Sequence, residues 1–208
     1  MIVREYRAAF AFFRQHLRLM AAAALLFILG TLAAAAALWI ACERNPSLLA
    51  SLLQQMGTFF DAKDLSGPDG QIAASRLFLS NCYAAALAFL LGILPLLFLP
   101  VWPLLLNAAL LGAVAAAALR TGMPPAALAA ALLPHGIFEL PALILSDGLG
   151  LVLCRSMTRR LLGKTEPLPF WALAHELSRL FVLGVVPLLA VAALIESYFT
   201  GWLTGFFL

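Results

Sequence analysis

The stretch LFLSNCYAAALAFLLGILPLLFLPVWPLLLNAALLGAVAAAAL, Leu77–Leu119, runs for 43 residues without an Asp, Glu, Lys or Arg. As a single helix rising ~1.5 Å per residue it would be roughly 64 Å long, about twice the hydrocarbon thickness of a bilayer. It must therefore fold back on itself. Pro95, Pro100 and Pro103 mark the place, because proline lacks the backbone N–H and its ring clashes with the preceding turn. Two spans follow, near 77–94 and 104–119, joined by a short apolar turn with Trp102 at the interface. Leu19–Cys42 (24 residues), Thr121–Phe138 (18) and Leu180–Ile195 (16) are equally free of these charges. Of the 208 residues 64% are hydrophobic and only 11% are charged, too few charges to cover a soluble domain, for which about 25% is usual. The chain reads as an all-α, polytopic helical membrane protein of about five spans. That excludes a soluble enzyme, a disulfide scaffold, a disordered chain and a nucleic-acid binder.

The net charge of +3 reports orientation, since Lys and Arg gather on the cytoplasmic side of a membrane protein. Arg4, Arg7, Arg14 and Arg18 precede the first apolar run, which is too long for a cleavable signal sequence and reads as an uncleaved anchor. Arg155, Arg159, Arg160 and Lys164 form a second basic cluster, with Arg179 beyond it. Both clusters belong in the cytoplasm. The segment 125–154 must then cross once, which gives five spans with the N-terminus cytoplasmic and the C-terminus outside; a re-entrant double dip of 125–154 is the alternative topology. The whole of 1–208 forms a single membrane domain: an amphipathic cytoplasmic helix 1–18, an external loop 43–76 and a basic cytoplasmic connector 155–177. Ile2, Val3, Tyr6, Phe10, Phe13 and Leu17 recur at helical spacing opposite Arg7, Arg14 and Arg18, so the first helix should lie on the anionic inner leaflet. In the external loop, Ser47–Phe60 has the pattern of a short helix, and Asp61–Gly70 that of a polar loop with a Gly-Pro-Asp-Gly turn.

Small residues suggest how the spans pack. Ala84, Ala88 and Gly92 lie four apart in the second span, and Ala108, Gly112 and Ala116 do so in the third. Such spacing lets helix backbones approach closely, and the expectation is that these two spans pack against each other as a hairpin. Asn81 and Asn107 are span amides whose default role is interhelical hydrogen bonding. Cys42, Cys82 and Cys154 show no CxxC spacing, and no redox or metal role is indicated.

The segment Pro134-His135-Gly136-Ile137-Phe138-Glu139-Leu140-Pro141-Ala142 carries the chemistry. Two prolines inside a crossing free the carbonyls of Ala130 and Ile137, so a Pro/Gly-broken fourth segment is expected. His135 and Glu139, four apart, share a face of any helix that bridges them; Ser146 continues that face and Asp147 adjoins it. An ionised carboxylate at mid-helix costs about 2.5–3.5 kcal/mol on insertion scales, so Glu139 must be paired, protonated or in contact with water. It reads either as part of a proton, ion or substrate site or as half of a His–Glu lock that pins the helix to its neighbours. With Asn81 and Glu196 towards the outer side and Asn107 and Asp147 towards the inner, a discontinuous polar ladder would cross the membrane. No catalytic residue, metal site or cofactor is indicated: His175-Glu176-Leu177-Ser178-Arg179 lacks the second histidine of a zinc motif, and there is no GxSxG or phosphate-binding loop.

On this string, with Asn81/Gly92, Asn107/Gly112, Gly148/Gly150 and Ile195-Glu196-Ser197 in the same order, the chain resembles the stage II sporulation protein M family of small prokaryotic membrane proteins. The resemblance covers about 80–200. It implies a multi-pass protein of a prokaryotic cytoplasmic membrane, with Pro134, His135, Gly136, Glu139 and Pro141 as its candidate site. In spore formers the namesake anchors a peptidoglycan-degrading complex, which implies a non-enzymatic membrane scaffold for envelope or cell-wall-remodelling partners. The residues themselves also fit a small oligomeric transporter or channel working at His135 and Glu139. An intramembrane hydrolase would need a nucleophile or metal that the sequence does not supply. The lipid bilayer is a partner on any of these readings, and a homo-oligomer is a partner on the second.

Overall fold

The computed structural model describes residues 2–45, 47–62 and 73–207. Among them there are helices and turns and no strand. The elements are α1 (Ile2–Gln15), α2 (Leu17–Arg44), α3 (Ser47–Ala62), α4 (Ala74–Leu90, extended by a 3-10 turn Leu91–Ile93), α5 (Val101–Arg120), α6 (Pro125–Leu161) and α7 (Phe170–Leu180). From α7 the chain stays helical through a π turn (Phe181–Val185), α8 (Val186–Ile195), a second π turn (Glu196–Thr200) and α9 (Gly201–Thr204). Among the described residues five helices are long and apolar enough to cross a membrane: Leu17–Arg44, Ala74–Ile93, Val101–Arg120, Pro125–Leu161 and Phe170–Thr204. Most of Asp61–Gly70 lies outside the described residues.

The fourth segment is not broken. Pro134 and Pro141 sit inside one continuous 37-residue helix, which also removes the re-entrant alternative. Each proline deletes one backbone hydrogen bond, on the order of 3 kcal/mol in a helix interior. Opening the helix between them would leave several N–H and C=O groups unpaired in hydrocarbon at several kcal/mol each. Continuity is the smaller penalty.

α6 is the central helix. In its apolar window 56% of residues are buried, against 11–28% for the other four spans, and it touches α2, α4, α5, α7 and α8. Its Gly148–Ser156 stretch is buried at all but Arg155. The small-residue stripes pack differently from the expected hairpin. Gly92 meets α6: a Cβ added there would stand 2.1 Å from the carbonyl oxygen of Gly150. Gly112 meets α2, where an added Cβ would stand 2.3 Å from the Thr31 oxygen. Only α2–α5 and α4–α6 exploit the stripes, and the face of α4 that does so is Ala85, Ala88 and Gly92, with Ala84 exposed. Spacing shows that a backbone comes close but not whose.

Contacts fix the directions. Gly30 lies against Ala108, Thr31 and Ala35 against Gly112, and the Trp39 carbonyl accepts from Arg120 Nη1 at 3.1 Å, so α2 and α5 run parallel. Ser146 Oγ donates to Ala85 O at 2.6 Å and Gly150 abuts Ala88 and Gly92, so α4 and α6 are parallel too. One end of the bundle gathers α1, the 94–100 turn, the C-terminal end of α6 and α7. There Leu96 N–H donates to Thr158 Oγ1 at 2.8 Å, and Arg179 lies 3.4 Å from Glu5. Leu96 (φ 69°) and Phe98 (φ 46°) hold this turn in the left-handed region, which L side chains disfavour. At the opposite end Arg120 stacks over Trp39 and lies 3.8 Å from Glu43.

α1 uses two apolar faces where the sequence suggested one. Ala9 and Phe12 are buried in a cluster with Leu173 and Leu177 of α7, and Phe13 packs beside them. Ile2, Val3, Tyr6 and Phe10 stay exposed, the surface that an interfacial helix offers to lipid.

Candidate functional site

His135 and Glu139 lie one turn apart on α6 and face a cavity of about 960 Å³ bounded by α2, α3, α5 and α6. Its walls are mostly apolar, with Leu111 and Ile144 among them; Asn107, Gln55 and Thr31 supply the remaining polar groups. This composition suits a ligand site, where a few placed polar groups orient what the apolar walls enclose. Gly136 and Pro141 also line it, and Pro134 is half-buried at its edge of the helix.

The last span supplies His135 with a partner from 61 residues away. Glu196 Oε2 lies 2.6 Å from His135 Nδ1. That oxygen has no hydrogen bond of good geometry, so charge proximity is the main content of the contact. Thr200 Oγ1 approaches the same nitrogen at 3.5 Å while bonding the Ile195 carbonyl at 3.3 Å. Thr200 closes the π turn Glu196–Thr200, a widened turn of the kind found at functional sites. Glu139 is close enough to His135 for the two to interact electrostatically.

The polar ladder is not assembled. Asn81 and Asp147 do not line the cavity. Asp147 is 1% exposed, and both its Oδ1 and Asn81 Nδ2 lack a hydrogen-bond partner. Ser146 turns to α4 and its Ala85 carbonyl rather than continuing the His135/Glu139 face. Among the described residues no three His, Cys, Asp or Glu side chains are grouped to hold a metal.

A second cavity, about 760 Å³, lies at the basic end between α1, the C-terminal end of α6, the 162–169 connector and α7. Arg155, Arg159, Arg179, Glu166 and Glu176 line it. Sequence reading placed these charges in one basic segment but gave no sign that they enclose a space, because α1 closes it from 140 residues upstream. Burial alone would raise the Glu166 carboxyl. Hydrogen bonds from Arg159 and Ser156 outweigh it and hold the group below the usual carboxylate range.

A family model described as Stage II sporulation protein M matches residues 23–201. The chain belongs to the Stage II sporulation protein M family. The match takes in the three middle spans whole, most of the first and last, the Pro134–Ala142 string and the cavity around it. Stage II sporulation protein M is a membrane family and not a known enzyme family. No curated protein and no solved structure matches the chain.

Proposed function

We propose that this member of the family works as a transporter or channel, with the cavity at His135 and Glu139 as the site that accepts a small cationic or protonatable solute. One observation carries the reading: a carboxylate and an imidazole line a roomy cavity within the membrane-spanning helices. Glu196 and Thr200 keep His135 oriented, and Glu139 supplies negative charge at the cavity wall. By the positive-inside rule the basic end faces the cytoplasm of a prokaryotic cell.

A scaffold for envelope-remodelling partners is the second reading, and the His135–Glu196 contact favours it, since that contact ties the central helix to the last one. Cysteine accessibility separates the two. With Cys42, Cys82 and Cys154 replaced by alanine, a membrane-impermeant maleimide should label Glu139→Cys and Asn107→Cys from one side and leave Asp147→Cys untouched. If neither cavity position is labelled in folded protein, the cavity is dry and the scaffold reading takes its place.

A further inference from the structure

We infer that the cavity at the basic end is a binding site for the phosphate of an anionic lipid headgroup. Three arginines line it, and two are already matched: Arg159 pairs with Glu166, and Arg179 with Glu176 and Glu5. Arg155 also lines the space, is exposed, and has no carboxylate within ion-pair reach among the described residues. The carboxylates are thus engaged by their own arginines, and Glu166 stays ionised within its pair. Among the described residues Arg155 is the lining arginine that no carboxylate engages. Arg179 Nε is a buried donor with no acceptor in the same wall. A phosphate in this space would give acceptors to the guanidinium fork of Arg155 and to Arg179 Nε, the two Nη groups of Arg179 being taken by Glu5 and Glu176.

The walls and the position favour a lipid as the source. Phe12, Leu19, Val152 and Leu173 give the cavity an apolar side, which an inorganic ion does not need and the glycerol and first methylenes of a lipid do. α1 forms one wall and turns Ile2, Val3, Tyr6 and Phe10 outward, so it lies at the depth where headgroups meet acyl chains. Basic pockets between helices at this level are places where anionic headgroups bind. The inference is independent of the transport reading, because the two cavities share no residue.

The test is thermal unfolding of the purified full chain in a neutral detergent, titrated with phosphatidylglycerol, with phosphatidylcholine or with inorganic phosphate. Phosphatidylglycerol should raise the midpoint and phosphatidylcholine should not. Arg155→Ala should shift the phosphatidylglycerol titration to about fivefold higher concentration, the effect of one arginine near a headgroup. Lys164→Ala removes the same charge from an exposed connector position outside the cavity and should leave the titration in place. Equal loss in both variants, or equal stabilisation by phosphatidylcholine, overturns the site. Stabilisation by inorganic phosphate at the same concentration as by phosphatidylglycerol overturns the lipid assignment and gives the site to a soluble anion.

Discussion

At the scale of single residues, the glycines divide into those that hold the bundle together and those that do not. Gly92 and Gly150 bring α4 onto α6 backbone to backbone, and the atom an alanine at 92 would strike is a carbonyl oxygen that cannot swing away. Gly92→Ala should therefore destabilise the protein by about 1–3 kcal/mol or more, as overpacking does. Gly136 lies within the most recognisable string of the chain, yet a Cβ there would find its nearest neighbour 3.9 Å away, at Leu140 Cδ1. Gly136→Ala should be neutral, or stabilising by up to about 1 kcal/mol through helix propensity. Thermal midpoints of the two variants in detergent check both; equal losses would mean that α6 opens at Gly136 after all. The same contrast shows what sequence can and cannot tell at this scale. His135 and Glu139 were readable as a pair because helical spacing fixes their common face. Glu196 as the group beside His135 was not, because no local rule joins residues 61 apart, and only the packing of the last span on α6 does so.

At the scale of elements, four spans were legible because runs without charge are long and the bilayer sets their length, and the crossing of 125–154 was legible only from the parity that the two basic clusters impose. Helix continuity at Pro134 and Pro141 was not, because local preference was outweighed by the penalty for unpaired backbone in hydrocarbon. The docking of α1 was half legible: periodicity gave an amphipathic helix, while Phe12, buried on α7, lay off the face that its pattern suggested. Phe12→Ala removes the largest side chain that α1 buries and should release the helix. Limited trypsin digestion should then cut at Arg14 and Arg18 several times faster, with the rest of the chain still folded. The connector responds to acid. Glu166 is held below the ordinary carboxylate range, so its contribution is complete above the unfolded glutamate value, near pH 4.3, and is lost as pH falls through the lower folded value. Hydrogen exchange of residues 162–169 should accelerate in that acid window; an unchanged rate would show that the Arg159–Glu166 pair does not hold the connector.

At the scale of the whole molecule, the two basic segments occupy one end of the bundle and the C-terminal aromatics Trp202, Phe206 and Phe207 follow the span that leaves it. Reporter fusions at the N-terminus and at Lys164 should report the same side of the membrane, and a fusion after residue 207 the opposite side. A shared side for all three would contradict five crossings. Parity of this kind could be counted from the sequence, whereas the enclosure of two separate cavities could not, since each is closed by an element distant in the chain.

The parallel pairing of α2 with α5 bears on how the protein is made. Thr31 meets Gly112, so the second partner of this contact leaves the ribosome 81 residues after the first. At a synthesis rate of roughly 5–20 residues per second, α2 waits about 4–16 s in the membrane with its Gly30–Thr31 notch unfilled. For that interval the nascent chain presents to the insertion machinery a groove shaped for a helix not yet born, and a chain that stalls before residue 101 keeps presenting it.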